Sequence, residues 1–190
     1  GGSNTFTMSG GSITGNTAKN GGGVHASGGK FNMNGNASIK SNTGNGVFVS
    51  GGATFTVSDT PTVMENKMGE DASNVFLAGS KTITIGGALD EGARIGVSTR
   101  VSAPVTVAKG ADSYSVTEND AKAFFSDSSG CHIELKNAEV NLCHGAPHVH
   151  FLCGGATCNP PQGVTHPNCT STTFEEIKNE SDLKAAAQTG

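Results

Sequence analysis

Apolar and polar residues alternate in four short phrases near the start of the chain: Thr5-Phe6-Thr7-Met8, Lys30-Phe31-Asn32-Met33, Thr54-Phe55-Thr56-Val57 and Thr82-Ile83-Thr84-Ile85. Such alternation marks a strand with one buried face. Phe6, Phe31, Phe55 and Ile83 lead the phrases and fall 25, 24 and 28 positions apart. A second phrase recurs as Ser12-Ile13-Thr14, Ser38-Ile39-Lys40 and Thr62-Val63-Met64, and a third as Val24-His25-Ala26, Val47-Phe48-Val49 and Val75-Phe76-Leu77. A repeat of this length predicts a solenoid, whose units bury an apolar face only against their neighbours. The expected fold is all-β, a right-handed parallel β-helix with three strands per coil over residues 1–142.

Parity along each strand assigns the inward columns. Phe6, Phe31, Phe55 and Ile83 form one, with Met8, Met33, Val57 and Ile85 beside it. Ile13, Ile39 and Val63 form a second. Val24, Val47 and Val75 form a third, flanked by Ala26, Val49 and Leu77. Gly10-Gly11, Gly21-Gly22-Gly23, Gly28-Gly29 and Gly51-Gly52 fall at corners, where glycine tolerates positive φ. Asn16, Asn42 and Asn66 each lie three residues after the inward residue of the second strand. That constant offset predicts a ladder of stacked amides; the simpler alternative is three turn asparagines without mutual contact. Beyond Ile85 the pattern loosens. Arg94-Ile95-Gly96-Val97, Pro104-Val105-Thr106-Val107, Ala123-Phe124-Phe125-Ser126 and His132-Ile133-Glu134-Leu135 still read as strands, with Val140 and Leu142 ending the run. Residues 118–126 also fit a short helix. Residues 86–142 are expected to be degenerate coils and a closing unit that shields the last apolar layer.

Composition agrees with thin coils rather than a wide core: 28 glycines, nine Phe, one Tyr and no Trp. The net charge of −4 comes from 12 basic and 16 acidic residues scattered without blocks, so nucleic acid is not an expected partner. No apolar run is long enough to span a membrane in this fragment. The start at Gly1-Gly2, without Met or a charged leader, reads as an internal position of a longer polypeptide.

The phrase Thr5-Phe6-Thr7-Met8-Ser9-Gly10-Gly11-Ser12-Ile13-Thr14-Gly15-Asn16, followed by Asn20-Gly21-Gly22-Gly23-Val24, resembles the β-helix repeats of very large bacterial surface proteins, similar to pectate-lyase-like adhesin repeats. Ala121-Lys122-Ala123-Phe124-Phe125-Ser126-Asp127 and His132-Ile133-Glu134-Leu135 resemble the module that ends such arrays. The resemblance covers about residues 1–142. It implies a secreted, cell-surface setting and a non-catalytic spacer, display scaffold or adhesive face, with further domains elsewhere in the chain. Host or cell-wall glycans or proteins are the partners it implies.

Two alternatives come from the same fold. Polysaccharide-degrading enzymes of this architecture gather Asp with Arg or Lys on one sheet. Here the outward positions Thr7, Asn32, Thr56 and Thr84 are not acidic, while Asp59, Glu65, Glu70, Asp71, Asp90 and Glu91 sit mostly at turns and do not stack into a column. General acid–base chemistry needs paired groups at a defined separation, so no enzyme is expected. A glycan-binding module is the other alternative. His25, Phe48 and Phe76 take the outward middle position of the third strand and would stack into an exposed column for sugar rings or a partner, unless a loop covers them.

After Leu142 the composition changes. Cys143, His144, His148, His150, Cys153, Cys158, His166 and Cys169 crowd residues 143–169, among Pro147, Pro160, Pro161 and Pro167. An irregular segment with little apolar content needs a staple. Zn²⁺ held by Cys153, Cys158, His166 and Cys169 is one, with His148 or His150 able to replace a ligand. Disulfides among Cys143, Cys153, Cys158 and Cys169 are the other, in any of three connectivities. The phrase His148-Val149-His150-Phe151-Leu152-Cys153-Gly154-Gly155 resembles a His/Cys-rich linker that follows such β-helix modules, which favours the metal. Cys131 is expected to be a buried or half-buried free thiol. Residues 170–190 read as a linker and short amphipathic capping helix leading to a further domain.

Overall fold

Each repeated phrase is a strand, and strands of equal rank stack in register. The computed structural model describes residues 4–145. The first coil holds β1 (Thr5–Met8), β2 (Ser12–Thr14) and β3 (Val24–Ala26). The second holds β4 (Lys30–Met33), β5 (Ser38–Lys40) and β6 (Val47–Val49). The third holds β7 (Thr54–Asp59), β8 (Thr62–Met64), a two-strand excursion of β9 (Lys67–Met68) and β10 (Asp71–Ala72), and β11 (Val75–Leu77). The fourth has β12 (Ile83–Leu89) and β13 (Arg94–Thr99). The fifth has β14 (Val105–Gly110), α1 (Glu118–Lys122) and β15 (Phe124–Ser126), and β16 (Cys131–Lys136) and β17 (Glu139–His144) follow. The result is a parallel β-solenoid of about five turns.

Registers match the repeat. Phe6 faces Phe31, Phe31 faces Phe55, and Phe55 faces Ile83, with Met8, Met33, Val57 and Ile85 stacked two residues on. The second column runs Ile13, Ile39, Val63, Ile95, Phe124, and the third runs Val24, Val47, Val75, Val97. From Phe31 onward these side chains are buried, whereas Phe6, on the outermost of the described coils, is 49% exposed. The inward phenyl rings stack at centroid separations of 5.3 Å (Phe6–Phe31) and 4.8 Å (Phe31–Phe55), the spacing that adjacent parallel strands impose.

The asparagine ladder is present, and it is longer than the repeat alone indicates. Asn16 donates both its backbone N–H and its Nδ2 to Asn42 Oδ1 (3.0 and 3.2 Å), and Asn42 does the same to Asn66 Oδ1 (3.1 and 2.9 Å). Asn66 repeats the pattern on Asn74 Oδ1 (2.9 and 3.1 Å). Asn74 ends the ladder on the carboxylate of Asp127, donating N–H and Nδ2 to one oxygen each at 2.6 Å. The Nδ2 groups also reach backbone carbonyls, as Asn66 does to Ile39 O and Met64 O. Corner backbone groups that would otherwise be buried without partners are thereby satisfied.

The ladder explains glycines that the corner argument does not. Gly23, Gly46 and Gly96 lack positive φ, yet a Cβ on Gly46 would lie 2.5 Å from Asn66 Nδ2 and 2.8 Å from Asn74 O. A Cβ on Gly23 would meet Gly46 O and Ile39 Cγ2 at 2.6 Å, and one on Gly96 would strike Asn74 and Asp127. These glycines line the lane in which the amides stack. The positive-φ role holds at Gly11, Gly21, Gly29 and Gly51.

In the fourth coil the corner between strands two and three is gone. β13 pairs with β8 through Arg94–Thr62 and Ile95–Val63, then with β11 from Val97 to Thr99, so one strand replaces two. The stack ends where β17 pairs antiparallel with β14 and β16 pairs antiparallel with β17. Val140 and Leu142 of β17 are buried on the inner face of this hairpin, which covers the last layer. The helical option for residues 118–126 is realised in part: α1 is capped by Thr117, whose Oγ1 accepts from Asp120 N, while Asp120 accepts from Thr117 N at 2.7 Å.

A matched pair of substitutions tests the glycine lane. Gly46→Ala is expected to lower the unfolding free energy by about 1–3 kcal/mol through overpacking. Gly52→Ala, whose Cβ would meet nothing within 4 Å, is expected to be neutral or to stabilise by up to about 1 kcal/mol. Equal denaturant midpoints for the two variants would refute the steric account of Gly46.

Candidate functional site

β3, β6 and β11 bring His25, Phe48 and Phe76 to one outer column, since their registers match residue for residue. His25 is exposed and both phenylalanines are half-buried. The Phe48 and Phe76 rings are 5.4 Å apart and 5° from parallel, and His25 meets Phe48 edge-on at 5.1 Å. Parallel phenyl rings at that separation cannot lie side by side in one plane, so their faces overlap with an offset. The guanidinium of Arg100 sits 5.7 Å from the Phe76 centroid, over the ring. Phe76 thus has a neighbour on each face, Phe48 and Arg100. The column presents the exposed His25 imidazole to solvent beside two half-buried rings.

The outward column of the other sheet runs Thr7, Asn32, Thr56, Thr84, uncharged over four coils, and continues through Lys109, Glu139 and Lys136. Several acidic side chains hold backbone instead. Asp59 accepts from Gly35 N at 2.9 Å and Asp127 from Asn74 N. A cleft of about 580 Å³ beside α1 is lined by Asp90, Glu91, Arg94, Asn119 and Lys122, with Asp120 in its wall. Asp120 is buried but accepts from Leu89 N (2.8 Å), Thr117 N and Oγ1 (2.7 Å each) and Tyr114 Oη (2.9 Å). Burial pushes its carboxyl upward, and those hydrogen bonds together outweigh burial and hold it below its ordinary 3.8. Asp120 therefore anchors the helix to β12. The Tyr114 hydroxyl is pushed up by burial and by its bond to Asp120.

The closing hairpin carries the other grouping of chemistry-bearing side chains. β16 and β17 set His132 opposite Cys143 and Glu134 opposite Asn141. Ile133, Leu135, Val140 and Leu142 pack against the core from one face, so His132, Glu134 and Cys143 share the other by alternation. Donor atoms of these three half-buried residues lie within 4.8 Å of one another, close enough to hold a metal ion. The Cys143 thiol donates to Glu134 Oε2 at 3.4 Å. Burial first, then the bond to Glu134 and its charge, push that thiol up. Cys131, a half-buried free thiol, lies on the opposite face, 3.4 Å from His144 Nδ1. Cys143 and His144 are thus members of β17. Cys153, Cys158, His166 and Cys169, along with the short helix expected near the end of the chain, lie outside the described residues. No sequence motif marked His132, Glu134 and Cys143 as a group.

No helix among the described residues is long and apolar enough to cross a membrane. No protein-family model matches this chain, and neither a curated protein nor a solved structure does.

The end of the ladder yields a pH prediction. Burial raises the Asp127 carboxyl above 3.8 against the lowering effect of its bonds to Asn74. A carboxyl raised on folding binds its proton more tightly in the folded state. Its contribution is fully present below about pH 3.8 and is lost as pH rises through the raised value. Asp127→Asn abolishes that component. The stability of wild type minus that of the variant should therefore fall as pH rises from about 3.8 through the raised value in urea titrations. A difference that rises with pH would show that the Asn74 bonds, not burial, dominate.

Proposed function

We propose that this segment is a rigid, non-catalytic scaffold, a spacer or display rod of a secreted bacterial surface protein of the adhesin type. The observation that carries the reading is the direction in which its polar and aromatic groups are used. The asparagine amides, the phenyl faces and several carboxylates are engaged along the solenoid axis, one coil to the next, rather than outward. Five coils at about 4.8 Å per strand give a rod about 24 Å long. Secretion and surface display follow from the resemblance of the repeat phrases to large β-helix surface proteins. Cell-wall or host glycans or proteins, and other domains of the same chain, are the partners that setting offers.

The glycan-binding alternative has one observation in its favour, the His25, Phe48 and Phe76 column. Sugar stacking uses an open ring face, however, and Phe76 has neighbours on both of its faces. A polysaccharide-degrading enzyme needs an acid and a base at a defined separation. Asp59, Asp120 and Asp127 are committed to backbone N–H groups. Zinc at Cys153, Cys158, His166 and Cys169 remains an expectation for residues outside the described part, and the scaffold reading does not depend on it.

The test is a panel of plant, bacterial and host polysaccharides presented to the purified chain. No new reducing ends or unsaturated products are expected, and retention on immobilised glycans should be the same for wild type and Phe76→Ala. Phe48→Ala should lower stability by at least about 0.5–1.5 kcal/mol, the contribution of an aromatic pair beyond its buried area. Cleavage of any polysaccharide, or glycan retention lost specifically with Phe76→Ala, would overturn the scaffold reading.

A further inference from the structure

We propose that His132, Glu134 and Cys143 form a Zn²⁺ site on the outer face of the closing hairpin. Register brings the donors together. In an antiparallel pair, directly opposed side chains on one face stand about 4.5–5.5 Å apart at Cβ, and diagonal neighbours remain within reach of long side chains. His132 and Cys143 are opposed, and Glu134 is two residues along the same strand, on the same face. Three donors from two neighbouring strands thereby converge within 4.8 Å without help from any loop.

The donor set fits the ion. Zinc accepts imidazole nitrogen, thiolate and carboxylate oxygen at about 2.0–2.3 Å, and three protein ligands leave a fourth tetrahedral position for water or another ligand. A hard cation such as Ca²⁺ or Mg²⁺ takes oxygen ligands and would gain little from Cys143 or His132. The site also has an outer contact of the kind that orients a ligating histidine. His132 Nδ1 lies 2.9 Å from Gly145 O, and a carbonyl only accepts, so Nδ1 carries the proton. That bond sets the tautomer in which Nε2 is the ligating nitrogen. Cys143 Sγ and Glu134 Oε2 already share one proton across 3.4 Å, and a dication bound there would replace it.

The placement gives the site a structural consequence. β16 is the edge strand of its sheet, bonded only to β17 on the order of the sheet. A metal joining β16 to β17 cross-links the two strands that cover the last apolar layer. Binding only to the folded hairpin stabilises it by mass action.

The full chain also contains Cys153, Cys158, His166 and Cys169, so the test first removes them. The full-length variant Cys153→Ser, Cys158→Ser, His166→Ala, Cys169→Ser is titrated with Co²⁺ alone as a spectroscopic stand-in for Zn²⁺. One equivalent is expected to bind, with a thiolate-to-cobalt charge-transfer band. Adding Cys143→Ser should abolish the band. Adding Glu134→Gln, a near-isosteric change at a half-buried side chain, should weaken binding at least ~10-fold while leaving the far-ultraviolet circular dichroism unchanged. Adding Cys131→Ser, on the opposite face, should leave both band and affinity intact. Zn²⁺ should raise the melting temperature of the four-fold variant and not of its Cys143→Ser derivative. Absence of the band in the four-fold variant, its survival in Cys143→Ser, or its loss in Cys131→Ser would overturn the site.

Discussion

Stacking coils in register forces each corner to repeat at the same place, and the corner is where a backbone loses its ladder partners. A bend leaves N–H and C=O groups pointing away from the sheet, and in an inner coil no water reaches them. The stacked asparagines meet that constraint. The Oδ1 atoms of Asn42 and Asn66 each take two donors from the neighbouring coil, and that of Asn74 takes two from Asn66 in its own, while Nδ2 reaches carbonyls such as Ile39 O and Met64 O. Much else follows from it. The lane beside the amides admits no Cβ, which fixes Gly23, Gly46 and Gly96. The direction of donation gives the column a polarity that must end on an acceptor with no donating duty of its own, and a carboxylate is such a group. Asp127 fills that place.

The part of this arrangement that repeats was legible in the sequence, and the part that departs from the repeat was not. Parity and period located the inward columns to the residue, because a slip of one position would turn every apolar side chain outward. The first three rungs followed from a constant offset. Asn74 and Asp127 have no such offset: Asn74 comes eight residues after Asn66, behind the β9–β10 excursion, and Asp127 lies 53 residues beyond Asn74. Asn74 reaches Asn66 within the third coil, and Asp127 reaches Asn74 beside Gly96 of β13. Gly23 was read as a corner glycine for a related reason, since a Gly chosen for close approach reads the same as one chosen for positive φ.

The closing hairpin was hidden by its turn. Asn137 and Ala138 both have positive φ, 54° and 57°, as a two-residue hairpin turn of the primed type requires. Sequences usually announce such a turn with Asn-Gly; alanine in the second position conceals it. Without the turn, His132-Ile133-Glu134-Leu135 and Val140 to Leu142 read as two more parallel strands, and nothing opposes His132 to Cys143. With the turn in place, pairing is fixed residue by residue and the three donors meet. The signal was present in Asn137, four residues before Asn141 on the far strand, but its meaning depended on a dihedral that alanine seldom adopts.

Repetition itself limits what the stacked part of the molecule can do. Strands about 4.8 Å apart place like residues over like residues, so an outward column tends to become a row of one kind of group, threonines on one sheet and aromatic rings on the other. Such rows saturate one another along the axis. A site that joins unlike groups, a nitrogen, a sulfur and a carboxylate, needs strands that run in opposite directions or chain that leaves the stack. Antiparallel pairing supplies this by opposing residues whose positions in the sequence are unrelated by the period. The hairpin that ends the described solenoid does this by antiparallel pairing beside the core, and the cleft beside α1 does it with chain that leaves the stack, whereas the regular coils carry rows of like groups.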